Sequence, residues 1–296
     1  MSEWRHVSVR VVRDDFAAEV TGLDLRCTLP EETLAEVRAV WAAFPVLCFP
    51  DQALTVDELE AFSLQIGPFG VDPFVAPMEA HPNVLEVRRG PDEQGIIFGA
   101  AWHSDWSFQE RPPSATLLHS QIVPPVGDDT LYVDCRKAWA TLSDDLKQIA
   151  RDNKAVHSAR LAYGTTGRLA TDPQPREMKI LTGEKAHATQ LHPMVRTHPV
   201  TGRSALFVNP VYTIGIEGMG EADGQALLAR FYQHLFAGDL VHRHRWRQNM
   251  LVMWDNRCVV HNAEGGYEGH ARLMHRTTVA GERPVRGLSP LPSEDL

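Results

Sequence analysis

Apolar residues in this chain fall mostly in short runs, and only four stretches carry the spacing of an amphipathic helix. Residues 7–12 alternate valines with Ser8 and Arg10 and predict a strand. Further strands are expected over 17–21, 46–49, 84–87, 115–123, 130–133, 206–209, 242–246, 250–254 and 272–280. Helices are expected over 30–43, where Leu34, Val37, Val40 and Trp41 recur at helical intervals, and over 55–66, 137–152 and 223–236. Thr55 followed by Glu58 reads as a helix-starting capping pair. Residues 68–101 and 163–190 are irregular and read as loop or lid segments, a kind of segment that often carries function. The tail after Arg286 is expected to fray. Many short strands, few helices and no alternation of strand with helix predict a mainly β fold, closed or sandwiched, with helices packed outside.

Composition narrows the function. The chain has 296 residues, room for one large domain, and we take 1–296 as a single unit. Its net charge of −9 and pI near 5.8 argue against a nucleic-acid surface. Cys27, Cys48, Cys135 and Cys258 are widely spaced, without the pattern of a disulfide framework or a zinc site. No signal peptide or membrane-spanning run is visible, so a cytoplasmic enzyme free of membrane is expected, and a homo-oligomer.

The chemistry begins at Trp102-His103-Ser104-Asp105. On a strand, residues two apart share a face, so His103 and Asp105 would reach one point. An imidazole and a carboxylate aimed together make two thirds of the 2-His-1-carboxylate site of non-heme iron oxygenases. Trp254-Asp255-Asn256-Arg257 leads to His261, a candidate third ligand. Beyond it, Arg272 and Arg276 share a strand face and suggest a basic wall beside a metal. His157, His192 and His198 read as structural, and His275 is not proposed as a ligand.

Together with Arg272-Leu273-Met274-His275-Arg276, these segments resemble the taurine dioxygenase / 2,4-dichlorophenoxyacetate dioxygenase family of Fe(II)- and 2-oxoglutarate-dependent oxygenases. The resemblance runs from near Glu19 to near Pro284. It includes Pro124-Pro125, Asp129-Thr130, His192-Pro193, Arg196-Thr197-His198-Pro199 and Leu206-Phe207-Val208-Asn209. It implies a double-stranded β-helix, or jelly roll. It also implies iron held by His103, Asp105 and His261, which would be the catalytic centre. Arg272 and Thr130 would bind 2-oxoglutarate, and O2 would be the oxidant, with succinate and CO2 released. Where the family has Gly-Gly-Asp-Thr, this chain has Gly127-Asp128-Asp129-Thr130, and Asp128 puts the turn geometry in question.

For the substrate, the resemblance implies that Arg276 binds an anionic group. The family's taurine contacts are replaced by Asp72, Val75 and Gly99. Val156-His157-Ser158-Ala159, Asn209-Pro210-Val211-Tyr212 and Ile216-Glu217-Gly218-Met219 look more like the aryloxypropionate dioxygenases. Phe74, Phe98, Trp106 and Tyr212 are candidates to line an apolar pocket. The expected partner is a small organic anion, aryloxyalkanoate- or sulfonate-like. The alternatives are a hydroxylase or desaturase of an amino-acid-like metabolite in a biosynthetic pathway, and a non-catalytic metal-binding jelly roll. The latter would need neither Arg272 nor Thr130.

Overall fold

The computed structural model describes residues 4–287; the tail expected to fray, from 288, lies outside the described residues. The first half contains β1 (Ser8–Arg13), β2 (Ala17–Thr21), α1 (Glu31–Ala43), β3 (Val46–Phe49), α2 (Val56–Ile66), β4 (Leu85–Arg89) and β5 (Ala115–Ile122). Then come β6 (Thr130–Asp134), α3 (Cys135–Thr141), α4 (Asp144–Asp152), β7 (Lys154–Ser158) and α5 (Arg160–Tyr163). β8 (Thr189–Pro193), β9 (Val195–Thr197), β10 (Ser204–Leu206), β11 (Thr213–Ile216) and α6 (Glu221–Leu235) follow. The chain closes with β12 (Val241–His244), β13 (Leu251–Asp255), β14 (Val259–Ala263) and β15 (Arg272–Val279).

Seven strands form the main sheet in the order β1-β2-β3-β13-β5-β15-β4, antiparallel except between β2 and β3. Alternate residues of its central strands face opposite ways. Leu47, Phe49, Leu117, Leu251 and Met253 pack with α1 and α2 on one side. Val46, Cys48, Leu118, Val252 and Trp254 join Tyr132, Val133, Val259 and Val260 on the other. Those last four belong to a smaller sheet, β12-β6-β14, and a further sheet, β11-β7-β8, adds Ala155 and Ile216 to the same core. The result is a double-stranded β-helix, as the resemblance implies, with helices outside, as the strand pattern predicts. No helix among the described residues is long and apolar enough to cross a membrane.

Thr55 caps α2 as expected: its hydroxyl accepts from the Glu58 N–H at 3.2 Å, and the Glu58 carboxylate accepts from the Thr55 N–H at 2.8 Å. The helix expected over 137–152 is instead two. Asp134 caps α3 by accepting from the Arg136 and Lys137 N–H groups, and the chain turns extended at Leu142 and Ser143 before α4 starts. Ser143-Asp144-Asp145 is a helix-start signature that outweighs the apolar spacing across it. The strand expected over 206–209 lies earlier, at β10. The sheet of β7, β8 and β11 gave a weak apolar signal because most of its buried residues, His157, Ser158, His192 and Thr213, are polar. His157 and Thr213 are fully buried and meet each other, and Ser107 and Asn209 join them by hydrogen bonds. Segment 68–101 is irregular around β4. Segment 163–190 holds a short 3-10 turn, Glu184–His187, and runs into β8.

Candidate active site

His103 and His261 are brought together by main chain. The His103 N–H donates to the His261 carbonyl at 2.9 Å and the His261 N–H to that of His103 at 2.8 Å, an isolated antiparallel bridge. Directly opposed residues project to one face, and the two imidazole centroids stand 4.2 Å apart. Asp105 joins them differently from the sequence argument. The segment is no strand beyond the bridge. A turn begins at Asp105, with Trp106 at a left-handed φ of 47°. Asp105 Oδ1 ends 3.6 Å from His103 Nε2. One ligand atom from each of the three residues lies within 4.8 Å of the others.

These donors suit a divalent metal such as Fe(II). His103 Nδ1–H donates to the Ala101 carbonyl at 2.8 Å, which leaves the Nε2 lone pair for coordination. His261 Nδ1 is buried without a hydrogen-bond partner. Burial, reinforced by His103, pushes the His261 imidazole down to about 3, so it is neutral as a ligand must be. Burial opposes the charge on Asp105, but Arg276 and the two histidines outweigh it and hold the carboxyl well below the usual range. Asp105 Oδ2 accepts from the Thr116 hydroxyl at 2.6 Å, and Thr116 Oγ1 in turn accepts from Asn256 Nδ2 at 2.8 Å. Asn256 also takes the Trp254 indole N–H at 3.1 Å, and its carbonyl takes the Ser104 hydroxyl. The role of Thr116 had no signal in the sequence; Asn256 lay in a segment already singled out, but without a role.

Two adjoining cavities share Phe98, Gly99, His103 and Asp105. One holds Thr130, His261, Arg272 and Arg276, which offer the charge and donors that a dicarboxylate needs. Thr130 Oγ1 accepts from the Trp246 indole at 3.0 Å, so its own proton is free to point at an acceptor. Arg272 lines this cavity at 5% exposure and is ion-paired through Nε to Asp128. Asp128 does adopt the left-handed conformation a glycine would favour, at φ 63°. Its substitution therefore keeps the turn and adds a carboxylate to Arg272. Asp128 Oδ2 has no partner, and burial lifts the carboxyl above its ordinary range against the pull of Arg272.

Arg272 and Arg276 stay on one face despite a register shift in the pairing of β15 with β5 between them. Arg276 is 3.2 Å from Asp72 and 3.0 Å from Asp105, and its guanidinium lies over the Trp106 ring. Neither contact has hydrogen-bond geometry, so Nη1 and Nη2 are buried donors without acceptors. Asp72 itself is held by Trp106 Nε1 and by the Thr278 hydroxyl.

The second cavity is aromatic. Phe98, Trp106, Tyr163 and Tyr212 line it, with Gly99 at φ 82° forming part of the wall. Asp72 and Phe74, expected at the substrate, stand behind that wall: Phe74 stacks on Tyr163 at 4.9 Å and Asp72 braces Arg276. Tyr163 and Arg168 also line this cavity, from a segment whose irregular sequence carries no signal of it. His198 bonds Asp255 at 2.9 Å, His192 bonds the Gln109 carbonyl, and neither reaches the triad.

The model of the taurine catabolism dioxygenase TauD, TfdA family matches residues 8–278. The α-ketoglutarate-dependent 2,4-dichlorophenoxyacetate dioxygenase of Cupriavidus pinatubonensis is 31% identical, over 91% of this chain and 96% of that protein. The α-ketoglutarate-dependent sulfate ester dioxygenase of Pseudomonas putida is 29% identical over 94% and 91%. The fold matches a taurine dioxygenase from Burkholderia xenovorans with a TM-score of 0.78 at 26% identity, covering 95% of this chain and 92% of that one. It also matches AAD-2 in complex with Mn(II) and N-oxalylglycine, with a TM-score of 0.76 at 30% identity over 94% and 98%. The resemblance carried by the short motifs thus extends along nearly the whole chain. By sequence, by fold and by a site suited to iron and a dicarboxylate, the chain belongs to the TauD/TfdA family and is an Fe(II)- and 2-oxoglutarate-dependent dioxygenase.

Proposed function

We propose that this dioxygenase hydroxylates a C–H of a small organic anion with an apolar, aromatic-sized body, aryloxyalkanoate- or sulfonate-like. The observation that carries this reading is the aromatic cavity beside the triad, bordered by the cosubstrate cavity where Arg276 has two donors without acceptors. In this reading His103, Asp105 and His261 hold iron, and Arg272 with Thr130 grips 2-oxoglutarate. A guanidinium suits the grip because it is always charged and binds a carboxylate through two donors. Iron and 2-oxoglutarate supply the oxidising chemistry, O2 being consumed as 2-oxoglutarate becomes succinate and CO2. Trp106, Tyr163 and Tyr212 exclude water and hold the substrate so that one C–H faces the metal. Relatives named for 2,4-dichlorophenoxyacetate, (S)-phenoxypropionate and sulfate esters support an anion of this class. Hydroxylation of the carbon beside an ether or ester oxygen would release the aryl or sulfate group.

A second reading, an amino-acid-like metabolite hydroxylated or desaturated in a biosynthetic pathway, draws on Asp72 beside Arg276, which pairs opposite charges at one end of the site. Both Asp72 oxygens already accept from Trp106 and Thr278, so the carboxylate is a poor partner for an added ammonium. The test is a panel of aryloxyalkanoates, alkyl sulfonates, sulfate esters and amino acids scored by succinate release. Turnover confined to the amino acids would overturn the first reading. Four free cysteines suit the cytoplasm we assign the enzyme, and a homo-oligomer is the assembly we assign, checked by light scattering.

A further inference from the structure

The cations around the site are not equivalent. Arg272 is paired with Asp128, and Arg276 lies against both Asp72 and Asp105. Arg168 is different. It has no carboxylate within ion-pair distance among the described residues, and its Nε is buried without a hydrogen-bond partner. Among the described residues its side chain makes one hydrogen bond, from Nη2 to the Ala100 carbonyl at 2.6 Å, three residues before His103. Among the described residues it is the only lysine or arginine lining the aromatic cavity, together with His103, Asp105, Trp106, Tyr163 and Tyr212, whereas Arg276 opens onto the cosubstrate side. It also lines an adjoining depression with Leu161 and Pro210, which places it at the mouth between the two.

Its position is set by local structure. After α5 the chain doubles back: the Gly167 N–H reaches the Gly164 carbonyl at 2.8 Å, and Arg168 and Leu169 donate to Leu161 and Ala162 at 3.0 and 3.1 Å. Gly167 permits the turn, because a Cβ there would stand 2.8 Å from the Ala162 and Arg160 backbone. The side chain is thus held by its backbone and by Ala100, not by a counter-ion.

We propose that Arg168 binds the anionic group of the substrate and sets the enzyme's preference for anions, resting on the reading of the substrate as an organic anion. A guanidinium whose charge is not offset, with a donor left unused in a partly dry cavity, gains most from an incoming carboxylate or sulfonate. Arg276, paired with Asp72 and set against the Asp105 that the metal shares, contributes donors but less free charge. An anion reaching a protein of net charge −9 meets long-range repulsion, which makes one uncompensated local cation decisive.

The test compares wild type, Arg168→Ala, Arg168→Lys and Arg276→Ala, using the panel anion that wild type turns over best and its neutral amide. Arg168→Ala should raise KM for the acid by about 30-fold or more and bring the acid and amide to similar kcat/KM. The 2-oxoglutarate affinity, measured by calorimetry, should stay at the wild-type value and show that the site is intact. Arg168→Lys should restore part of the acid preference. Wild-type acid preference in Arg168→Ala, or loss of that preference only in Arg276→Ala, would overturn the assignment while leaving the anion reading standing. Wild type turning over no anion, or acid and amide alike, would overturn both.

Discussion

At the scale of single residues, each member of the candidate triad is aimed by a second group, and these groups were not legible from sequence. His103 is aimed by a carbonyl two residues away, His261 by the bridge to His103, and Asp105 by Thr116. The hydroxyl matters because a carboxylate with one oxygen tied presents the other in a fixed direction. Thr116→Val, which keeps the shape and removes the donor, should weaken Fe(II) binding by about 10- to 100-fold with the fold intact. Iron titration followed by circular dichroism checks it; unchanged affinity would remove Thr116 from the account. The triad's residue types were legible, since a His, an Asp two on and a distant His suit iron. The two side chains do reach one point, Asp105 Oδ1 standing 3.6 Å from His103 Nε2, although only His103 of the pair is bridged as a strand residue. Likewise the departure at Asp128 was visible as a missing glycine, but its ion pair with Arg272 crosses 144 residues and no local pattern announces it.

At the scale of elements, the turn between β13 and β14 positions the site. Asp255 accepts from Arg257 through two bonds of 2.8 and 2.7 Å and from His198 at 2.9 Å, all buried. One face of the turn is thus pinned to the core, while Asn256 on the other braces Thr116. Asp255→Ala leaves a buried guanidinium unpaired and should cost about 3–5 kcal/mol of stability. Urea unfolding measures it, and a loss below 1 kcal/mol would mark the pair as no better than a surface contact. Elements with apolar alternation or a clear cap, such as β3, β13 and α2, were readable from sequence. β7, β8 and β11 were not, because polar residues that satisfy one another take up most of the buried face on which such reading depends.

At the scale of the molecule, many histidines are stored neutral. Burial pushes His192 and His242 down to about 4 and His244 to about 3. Their folded values lie below the unfolded one, near 6.5. Above that pH both states are neutral and the stability is fully present. As pH falls toward 4, the unfolded chain takes up protons that the folded protein refuses, and stability is lost at about 1.4 kcal/mol per pH unit for each such histidine. The melting temperature should therefore drop between pH 7.5 and 5; equal midpoints would show that these rings titrate freely. The count and spacing of short strands made a closed or sandwiched β fold legible at this scale, while the jelly roll itself came from the family resemblance.

The central claim is that one cavity holds iron on His103, Asp105 and His261 with 2-oxoglutarate against Arg272. Anaerobic titration of 2-oxoglutarate into the Fe(II)-loaded protein, followed by the charge-transfer absorption of the complex, tests it most directly. The account predicts a saturable band for wild type and none for Asp105→Ala, which should lose the metal. For Arg272→Ala it predicts a midpoint raised at least about 100-fold, since a buried carboxylate deprived of its partner costs about 3–5 kcal/mol. No band in wild type, or an Arg272→Ala midpoint equal to that of wild type, would contradict it.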